Sequence, residues 1–460
     1  MFRRLSSLAR TGLSFMTAAC VALTGPVAEA APSSKGNLPI VRDAEIEQLV
    51  TEYAAPLLKA AGLSRSGIEI ILVNSSDFNA FVSGSRIFVN TGAILATETP
   101  GQLQGVLAHE MGHLAGGHQL RLRERIENAK VLTAVTSLLG LGVAAAGAAT
   151  GSREAAQAGT GIMAGGTGLA ARDLMSYKRG EEMTADRAAL TYLERAGLSG
   201  RGLVDSFRNL DRQSFFSRSS GRNYLSSHPM PNDRAAAIED AARRSPYWGK
   251  PDDPRLVERH QLARAKIAAY TGSPGDAKRL FSRDPRSIAA FYGDAIETHL
   301  AGSSSSALKK VDALIAARPQ NPWFAELKGE ILLEAGRGAE AAKAYRKATK
   351  LDRSNSSLLR AEIGQALVVS GDPAVLPEAI DLIEEALRRD PSNANAYRFL
   401  AMAYGRKGDI GRAELATAEQ YWNTGRLTDA RIFAARAAQK LAPSTPAGRR
   451  ARDIVSTPRP

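Results

Sequence analysis

Residues 99–117 read TPGQLQGVLAHEMGHLAGG, and this stretch decides which fold the chain adopts. Thr99 suits the cap of a helix, Pro100 suits its first position, and Gln102 completes the spacing of a capping box. Two glycines close the stretch, and glycine commonly ends a helix. The stretch therefore predicts a helix that begins at Thr99 and runs to about Leu114.

This helix carries His109-Glu110-Met111-Gly112-His113, which is an H-E-x-x-H motif. Residues four apart lie on one face of a helix, so the two imidazoles can bind one metal ion. Glu110 is offset from that face and would reach a water on the metal rather than the metal itself. Apolar residues flank the motif, which argues against two surface histidines. The motif predicts one zinc ion per chain, with Glu110 as the base that takes a proton from the attacking water.

A catalytic zinc needs a third protein ligand and an open fourth position. His118 does not satisfy the metzincin spacing, because Gln119 stands where that pattern requires histidine. Glu182 is the better candidate, with Glu181 as its rival. Glu182 and Asp186 are four residues apart on one predicted helix face, so Asp186 would accept a proton from a ligand imidazole and fix its tautomer.

The overall composition is that of a folded protein, with 44% hydrophobic and 23% charged residues. Cys20 is the only cysteine, which leaves the rest of the chain without disulfides or thiolate ligands. Any zinc must therefore be bound by histidine and carboxylate. We interpret the net charge of +13 as scattered arginine, and we expect no nucleic-acid partner.

Residues 1–30 have the pattern of a secretory signal peptide. Three arginines precede an apolar stretch at Leu13–Leu23, and Ala28-Glu29-Ala30 supplies small residues for cleavage after Ala30. The alternative is a retained membrane anchor, for which the apolar stretch is short. We predict export to the periplasm.

Residues 31–250 are predicted to form an α+β zincin-like metallopeptidase domain, mostly helical with a small sheet. Residues 42–61 have helical periodicity, whereas residues 68–73 and 86–90 are short, β-branched stretches typical of strands. Extended peptides add to exposed strand edges, which suggests how a substrate would bind. The predicted substrate-binding residues are those of the second strand, Arg86, Ile87, Phe88, Val89 and Asn90.

Residues 131–171 are rich in alanine and glycine and nearly free of charge. They predict an apolar helical hairpin or loop, for which surface contact with a membrane and a true membrane span are two functional hypotheses. A hairpin packed on the catalytic domain and a mobile loop over the site are the alternatives.

Pro251-Asp252-Asp253-Pro254 predicts a domain boundary. Beyond it, small and apolar residues recur at an offset of 34 residues, as in Gly302 with Gly336 and Ala307 with Ala341. This period is typical of tetratricopeptide repeats, in which stacked helix pairs form an all-α solenoid. We predict repeats at residues 255–445 and a flexible tail at residues 446–460. A non-repeating helical bundle is the alternative.

Several of these motifs together resemble one family. The H-E-x-x-H motif at 109–113, Glu-x-x-Ala-Asp at 182–186 and Ser-His-Pro-x-Pro-x-x-Arg at 227–234 resemble the zinc peptidase family of CaaX prenyl protease 1 and HtpX. Residues 79–81 and 86–92 are similar to the strand pair that precedes the motif in that family. With an export signal before it and repeats behind it, the whole chain resembles the BepA-type periplasmic peptidases.

The resemblance implies that Glu182 is the third metal ligand. It also implies a role in quality control of outer-membrane β-barrel proteins or of the lipopolysaccharide translocon. His228 has two interpretations: it stabilises the oxyanion, or it binds the zinc from its loop and keeps the enzyme latent. Arg234 anchors that loop or binds the oxyanion.

The predicted function is a zinc-dependent endopeptidase of the bacterial periplasm that cleaves misfolded or misassembled envelope proteins. The repeats would recruit the client protein or the outer-membrane assembly machinery. The first alternative is a periplasmic chaperone or adaptor with minor or latent peptidase activity. The second is a membrane-embedded peptidase that uses residues 131–171 as spans.

Overall fold

The computed structural model describes residues 38–64, 66–216, 228 and 232–457. The predicted signal peptide at residues 1–30 lies outside these residues, as do most residues of the loop that carries His228.

Four short strands form one sheet in the order β1–β2–β4–β3. The strands are β1 Ile40–Val41, β2 Glu69–Val73, β3 Ala80–Ser83 and β4 Arg86–Asn90. β2 runs parallel to β4 and β3 runs antiparallel to it, so β4 is an interior strand. The strands predicted at 68–73 and 86–90 are confirmed.

Helices surround this sheet in the first half of the chain. They are α1 Ala44–Ala60, α2 Thr91–Ala96, α3 Pro100–Gly116, α4 His118–Thr150, α5 Arg153–Arg195, α6 Arg201–Phe216 and α7 Asn232–Arg243. Tyr53 and Leu57 of α1, Ile87 of β4 and Leu107 of α3 are fully buried in one core. The predicted α+β domain, mostly helical with a small sheet, is confirmed.

The ends of α3 follow the local sequence. The Thr99 side chain accepts a hydrogen bond from the Gln102 backbone N–H, which caps the first turn. Gly117 has φ of +64°, a left-handed conformation that glycine adopts without strain and that ends the helix. The predicted helix is confirmed, although it runs to Gly116 rather than Leu114.

α4 and α5 form a hairpin that is longer than the predicted segment 131–171. Its two helices pack closely through glycine: a Cβ on Gly140 would lie 2.5 Å from the Gly159 carbonyl oxygen, and one on Gly159 would lie 2.4 Å from the Ala144 nitrogen. The large apolar side chains point away from this contact, as the exposed fractions of Leu138 (70%) and Leu139 (59%) show. The hairpin therefore presents apolar surface outward.

The second half of the described chain is all α-helical. Its helices are α8 Pro254–Thr271, α9 Asp276–Leu280, α10 Ile288–Leu300, α11 Ser304–Ala317, α12 Pro322–Glu334, α13 Gly338–Leu351, α14 Ser357–Ser370, α15 Leu376–Arg389, α16 Ala394–Lys407, α17 Ile410–Asn423, α18 Leu427–Lys440 and α19 Pro446–Ser456. Gly302 and Gly336 lie at positive φ in the turns after α10 and α12. Ala307 and Ala341 are fully buried where the helices cross, so the predicted all-α repeats are confirmed.

The structure differs from the predicted domain boundaries at two places. Residues 446–456 form α19, with Ala451 and Ile454 buried, so the prediction of a flexible tail is wrong for these residues. The apolar side chains three apart give α19 a face that packs on the preceding helices. α8 contributes Ala263 and Ile267 to the core of the first domain. The packing therefore continues across the predicted boundary at 251–254.

Candidate metal centre

The crossing of α3 and α5 brings together side chains that are about 70 residues apart in sequence. α3 supplies His109 and His113, and α5 supplies Glu182. The two helices approach closely because Gly112 faces Ala185: a Cβ on Gly112 would lie 2.7 Å from the Ala185 carbonyl oxygen. The small residues thus place the Glu182 carboxylate directly against the two imidazoles.

Four side chains converge with their donor atoms within 4.8 Å of one another: His109, His113, Glu182 and His228. Nε2 of His109 lies 3.1 Å from Nε2 of His113, and each nitrogen lies 3.3 Å from an oxygen of Glu182. Nδ1 of His228 lies 2.9 Å from Glu182 Oε1 and 3.3 Å from His109 Nε2. All four side chains are at least nine-tenths buried.

This donor set fits a metal ion. Two imidazole nitrogens that face each other at 3.1 Å repel through their lone pairs unless a proton or a cation lies between them. A tetrahedral metal with bonds of about 2.0–2.1 Å to nitrogen separates its ligand atoms by about 3.3 Å. The observed separations of 2.9 to 3.3 Å are close to that value.

The charges of the metal-free cluster also favour a cation. Burial alone would lower the pKa of His109, but hydrogen bonds to Asp186 and Glu182 raise it to about 10. Burial lowers the pKa of His113 to about 3. Burial opposes ionisation of Glu182, but the neighbouring imidazoles, His228 foremost, hold its pKa well below the usual range. Without metal, the cluster therefore keeps a proton on His109, which a metal ion would replace.

Asp186 and Arg234 support the cluster from behind. Oδ1 of Asp186 lies 3.0 Å from His109 Nδ1, which is the contact predicted for a residue that fixes the tautomer. Arg234 donates to both oxygens of Asp186, at 2.5 and 2.9 Å, and lies 2.9 Å from Glu182 Oε2. These contacts favour the anchoring interpretation of Arg234 over oxyanion binding, because its guanidinium already binds two carboxylates.

Glu110 lies beside the cluster without belonging to it. Its side chain is fully buried, and its Oε1 makes no hydrogen bond to any residue that the structure describes. The same oxygen lies 3.7 Å from His228 Nε2. Burial raises the pKa of the Glu110 carboxyl. A carboxylate in such a position is suited to accept a proton.

A second support, which was not predicted from the sequence, lies behind His113. Nδ1 of His118 lies 2.8 Å from Nδ1 of His113, and Nε2 of His118 lies 2.6 Å from Glu181 Oε2. Glu181, the rival for the ligand role, therefore contacts His118 instead of the donor cluster. The signal was present in the sequence: Gly117 turns the chain so that a histidine five residues after His113 returns to it.

The predicted substrate-binding strand has no free edge. β4 pairs with β2 from Arg86 to Asn90 and with β3 from Arg86 to Val89. The prediction for Arg86, Ile87, Phe88, Val89 and Asn90 as an open edge is therefore wrong. The outer strand beside β4 is β3, and its Val82 carbonyl accepts a hydrogen bond from the Gln119 side chain.

Comparison with known proteins agrees with this geometry. Residues 41–242 match the sequence model of peptidase family M48. The beta-barrel assembly-enhancing protease of Yersinia pestis is 25% identical over 404 residues, covering 86% of this chain and 80% of that protein. The protein of the same name from Escherichia coli K12 is 24% identical and covers 86% and 79%. Metalloprotease YcaL of Escherichia coli K12 is 28% identical over 190 residues, or 40% of this chain and 67% of that protein.

Proposed function

We propose that this chain is a zinc metalloendopeptidase, whose residues 41–242 match peptidase family M48, and that it cleaves misfolded or misassembled outer-membrane proteins in the bacterial periplasm. The observation that carries the proposal is the convergence of His109, His113 and Glu182 beside Glu110, whose buried Oε1 makes no hydrogen bond to the residues that the structure describes. Two of the relatives, from Yersinia pestis and Escherichia coli K12, are named beta-barrel assembly-enhancing protease, and this name supports the proposed class of substrate.

Zinc is the metal that suits these donors. Imidazole and carboxylate ligands without thiolate, in tetrahedral spacing, are the set found in zinc hydrolases. We assign His109, His113 and Glu182 as its three protein ligands. When bound, zinc would polarise the peptide carbonyl and lower the pKa of a water molecule toward about 7.

Glu110 is the base of the proposed reaction. Its buried carboxylate takes a proton from the attacking water and passes it to the leaving amine. Burial raises the pKa of this carboxyl, which makes the carboxylate a stronger base than an exposed glutamate, and the nearby imidazoles partly oppose that rise. Oδ1 of Asp186 lies 3.0 Å from His109 Nδ1 and would orient that ring, and Arg234 fixes Asp186 in turn by donating to it.

His228 acts as a gate in this proposal. Its Nδ1 lies within the donor cluster, 2.9 Å from a ligand oxygen of Glu182, where the substrate carbonyl or the water would need to be. The His228 side chain would therefore block the fourth position and keep the resting enzyme latent. We expect His228→Ala to raise the rate of proteolysis. A lowered rate, with the metal content unchanged, would favour the oxyanion role instead.

The proposed substrate is an extended, unpaired β-strand that adds to the edge strand β3. β3 supplies the outer edge of the sheet, and Gln119 lies at that edge just beyond the motif helix. Clients whose strands have not paired would bind there, whereas folded β-barrels have no free strand to offer. The predicted repeats would recruit the client or the assembly machinery, and the chaperone alternative is not favoured.

The α4–α5 hairpin has exposed apolar surface, from which we infer peripheral contact with a membrane. α4 is the only helix in the described part of the chain that is long and apolar enough to span a bilayer, with a mean hydropathy of 1.9 over 18 residues. Only 11% of these 18 residues is buried, and glycine packing of the two helices leaves their leucines pointing outward.

We expect the protein to float with vesicles of bacterial lipid and to be released by carbonate. Leu138→Glu with Leu139→Glu should abolish flotation, and unchanged flotation would contradict the proposal.

The substrate class is tested by comparing an unfolded outer-membrane β-barrel with the same protein folded in detergent. We expect the enzyme to cleave the unfolded form and spare the folded form, with peptides of alternating hydrophobicity as competitors. An unfolded helical protein of equal length serves as the control. Equal cleavage of all three would contradict strand addition while leaving the peptidase assignment intact.

A further inference from the structure

A second group of metal-binding side chains lies in the repeats. His299 is near the end of α10, and Glu330 and Glu334 are four residues apart on one face of α12. A nitrogen of His299 and one oxygen from each carboxylate lie within 4.8 Å of one another. Nε2 of His299 is 3.1 Å from Glu334 Oε2. The three side chains thus join consecutive repeats.

His299 lacks the hydrogen bonds that a buried imidazole requires. Its exposed fraction is 4%, yet neither ring nitrogen makes a hydrogen bond to the residues that the structure describes. The contact of Nε2 with Glu334 is close but falls outside hydrogen-bond geometry. A buried polar group left in this state is destabilising, and most such groups have a protein, water or ion partner. The ring nitrogen beside the two carboxylates therefore points to a ligand.

Glu330 is oriented as a metal-binding carboxylate would be. The Tyr270 hydroxyl lies 2.7 Å from both of its oxygens, which fixes the plane of the carboxylate from the side of α8. The carboxylate of Glu330 is therefore held within reach of the His299 ring.

The residues near this site carry an excess of negative charge. Lys266 is buried and lies 2.7 Å from Asp43, 3.5 Å from Glu45 and 3.1 Å from Glu326. One ammonium group thus faces three carboxylates. Burial also raises the pKa of Glu326 to about 8 despite Lys266. Lys266 is therefore shared among three carboxylates and forms no ion pair with Glu330, which lies one helical turn further along α12 in the described structure.

We propose that His299, Glu330 and Glu334 form a second divalent-metal site, distinct from the catalytic centre, that links α10 to α12. One imidazole and two carboxylates suit zinc and its neighbours among the transition metals, whereas calcium takes six to eight oxygens. The side chain of Glu334 is 62% exposed, so the site opens to solvent on that side and the ion would complete its coordination with water. Occupancy would fix the relative position of the first repeats, and the site is independent of catalysis.

The test counts metal ions bound to the full chain after equilibrium dialysis against Zn²⁺, and in parallel against Co²⁺. We expect two ions per wild-type chain, one per His299→Gln chain and one per His113→Gln chain, which loses the catalytic site. Glu334→Gln, whose exposed side chain can change without loss of fold, should also bind one. Glu340→Gln is the matched control, because it removes an equivalent charge from an exposed pair with Arg337 and should bind two.

A second measurement follows the stability of the repeats. Added Zn²⁺ should raise the thermal midpoint of His113→Gln, in which only the proposed site remains, and should leave the double variant with His299→Gln unchanged. One ion per chain in both wild type and His299→Gln would overturn the proposal and leave His299 and Glu334 as a simple ion pair. Two ions in every single variant of the proposed site would place the second ion elsewhere and would also overturn it.

Discussion

Replacing Gly112 with alanine tests whether the close crossing of α3 and α5 sets the geometry of the metal centre. The new Cβ would lie 2.7 Å from the Ala185 carbonyl oxygen and 2.9 Å from its Cα. A carbon atom needs roughly 3.4 Å or more from such neighbours, so the helices must separate by about half an ångström or more. Metal–ligand distances tolerate only about 0.2 Å. Glu182, one turn before Ala185, would be drawn away from the two imidazoles.

We expect Gly112→Ala to weaken metal binding by on the order of 10- to 100-fold. Replacing a residue that orients a metal ligand has an effect of this size. Overpacking should cost about 1–3 kcal/mol, reduced by up to about 1 kcal/mol because alanine favours the helix more than glycine. Competition with a chromophoric chelator measures the affinity, and thermal unfolding measures the stability.

Gly180→Ala is the matched control, because it lies on α5 two residues before Glu182 with no neighbouring atom within 4 Å of its Cβ. It should keep the wild-type metal affinity and stabilise the protein slightly. Wild-type affinity in Gly112→Ala would refute the argument that this crossing positions the ligands.

Three further predictions concern residues behind the site and in the core. Glu181→Gln should lower metal affinity by about 10-fold, measured by the same competition, because His118 loses the charge that orients it against His113. Asp186→Asn should lower kcat in peptide hydrolysis and change KM little, since the amide no longer fixes the imidazole that binds the metal. Activity equal to that of the wild type would show that the contact is only structural. Burial lowers the pKa of His260 from 6.5 to about 4. The neutral ring therefore makes its full contribution to the free energy of unfolding above pH 6.5, and this contribution of about 3 kcal/mol is lost as the pH falls toward 4. His260→Gln should therefore flatten the decrease in urea stability between pH 7 and pH 4.5, and an unchanged slope would contradict it.

Local signals in the sequence were sufficient for the motif helix. Its cap at Thr99 and its end at Gly117 depend on neighbouring residues only, so they could be predicted without tertiary structure. The pairing of Asp186 with His109 was also accessible, because a spacing of four residues and the chemistry of carboxylate and imidazole both indicated it. The resemblance to a zinc peptidase family added the role of Glu182.

The order of the strands could not be predicted from the same signals. β2 and β4 are alike in length and composition, and nothing local shows which strand lies at the edge. β4 became interior because β3 and β2 pair on its two sides, while β1 has only two residues and covers the far edge. The open edge was therefore predicted at an interior strand.

The support behind His113 depends on a contact between α4 and α5. Glu181 and Glu182 are adjacent, and their side chains differ by about 100° around the helix, which decides which one reaches the metal site. Only the crossing angle of α5 resolves this, and the sequence does not encode that angle locally. The two interpretations of Arg234 stayed open for a similar reason, and its distance to Asp186 favours the anchoring one.

The most direct test of the account compares the wild-type chain with Glu110→Gln, both loaded with zinc, on an unfolded outer-membrane β-barrel. The two proteins should bind equal metal at the catalytic centre, because Glu110 lies outside the ligand set. We predict that the wild type cleaves the substrate and that Glu110→Gln does not. Cleavage by both at comparable rates would contradict the central claim that Glu110 is the base of a metallopeptidase built on His109, His113 and Glu182.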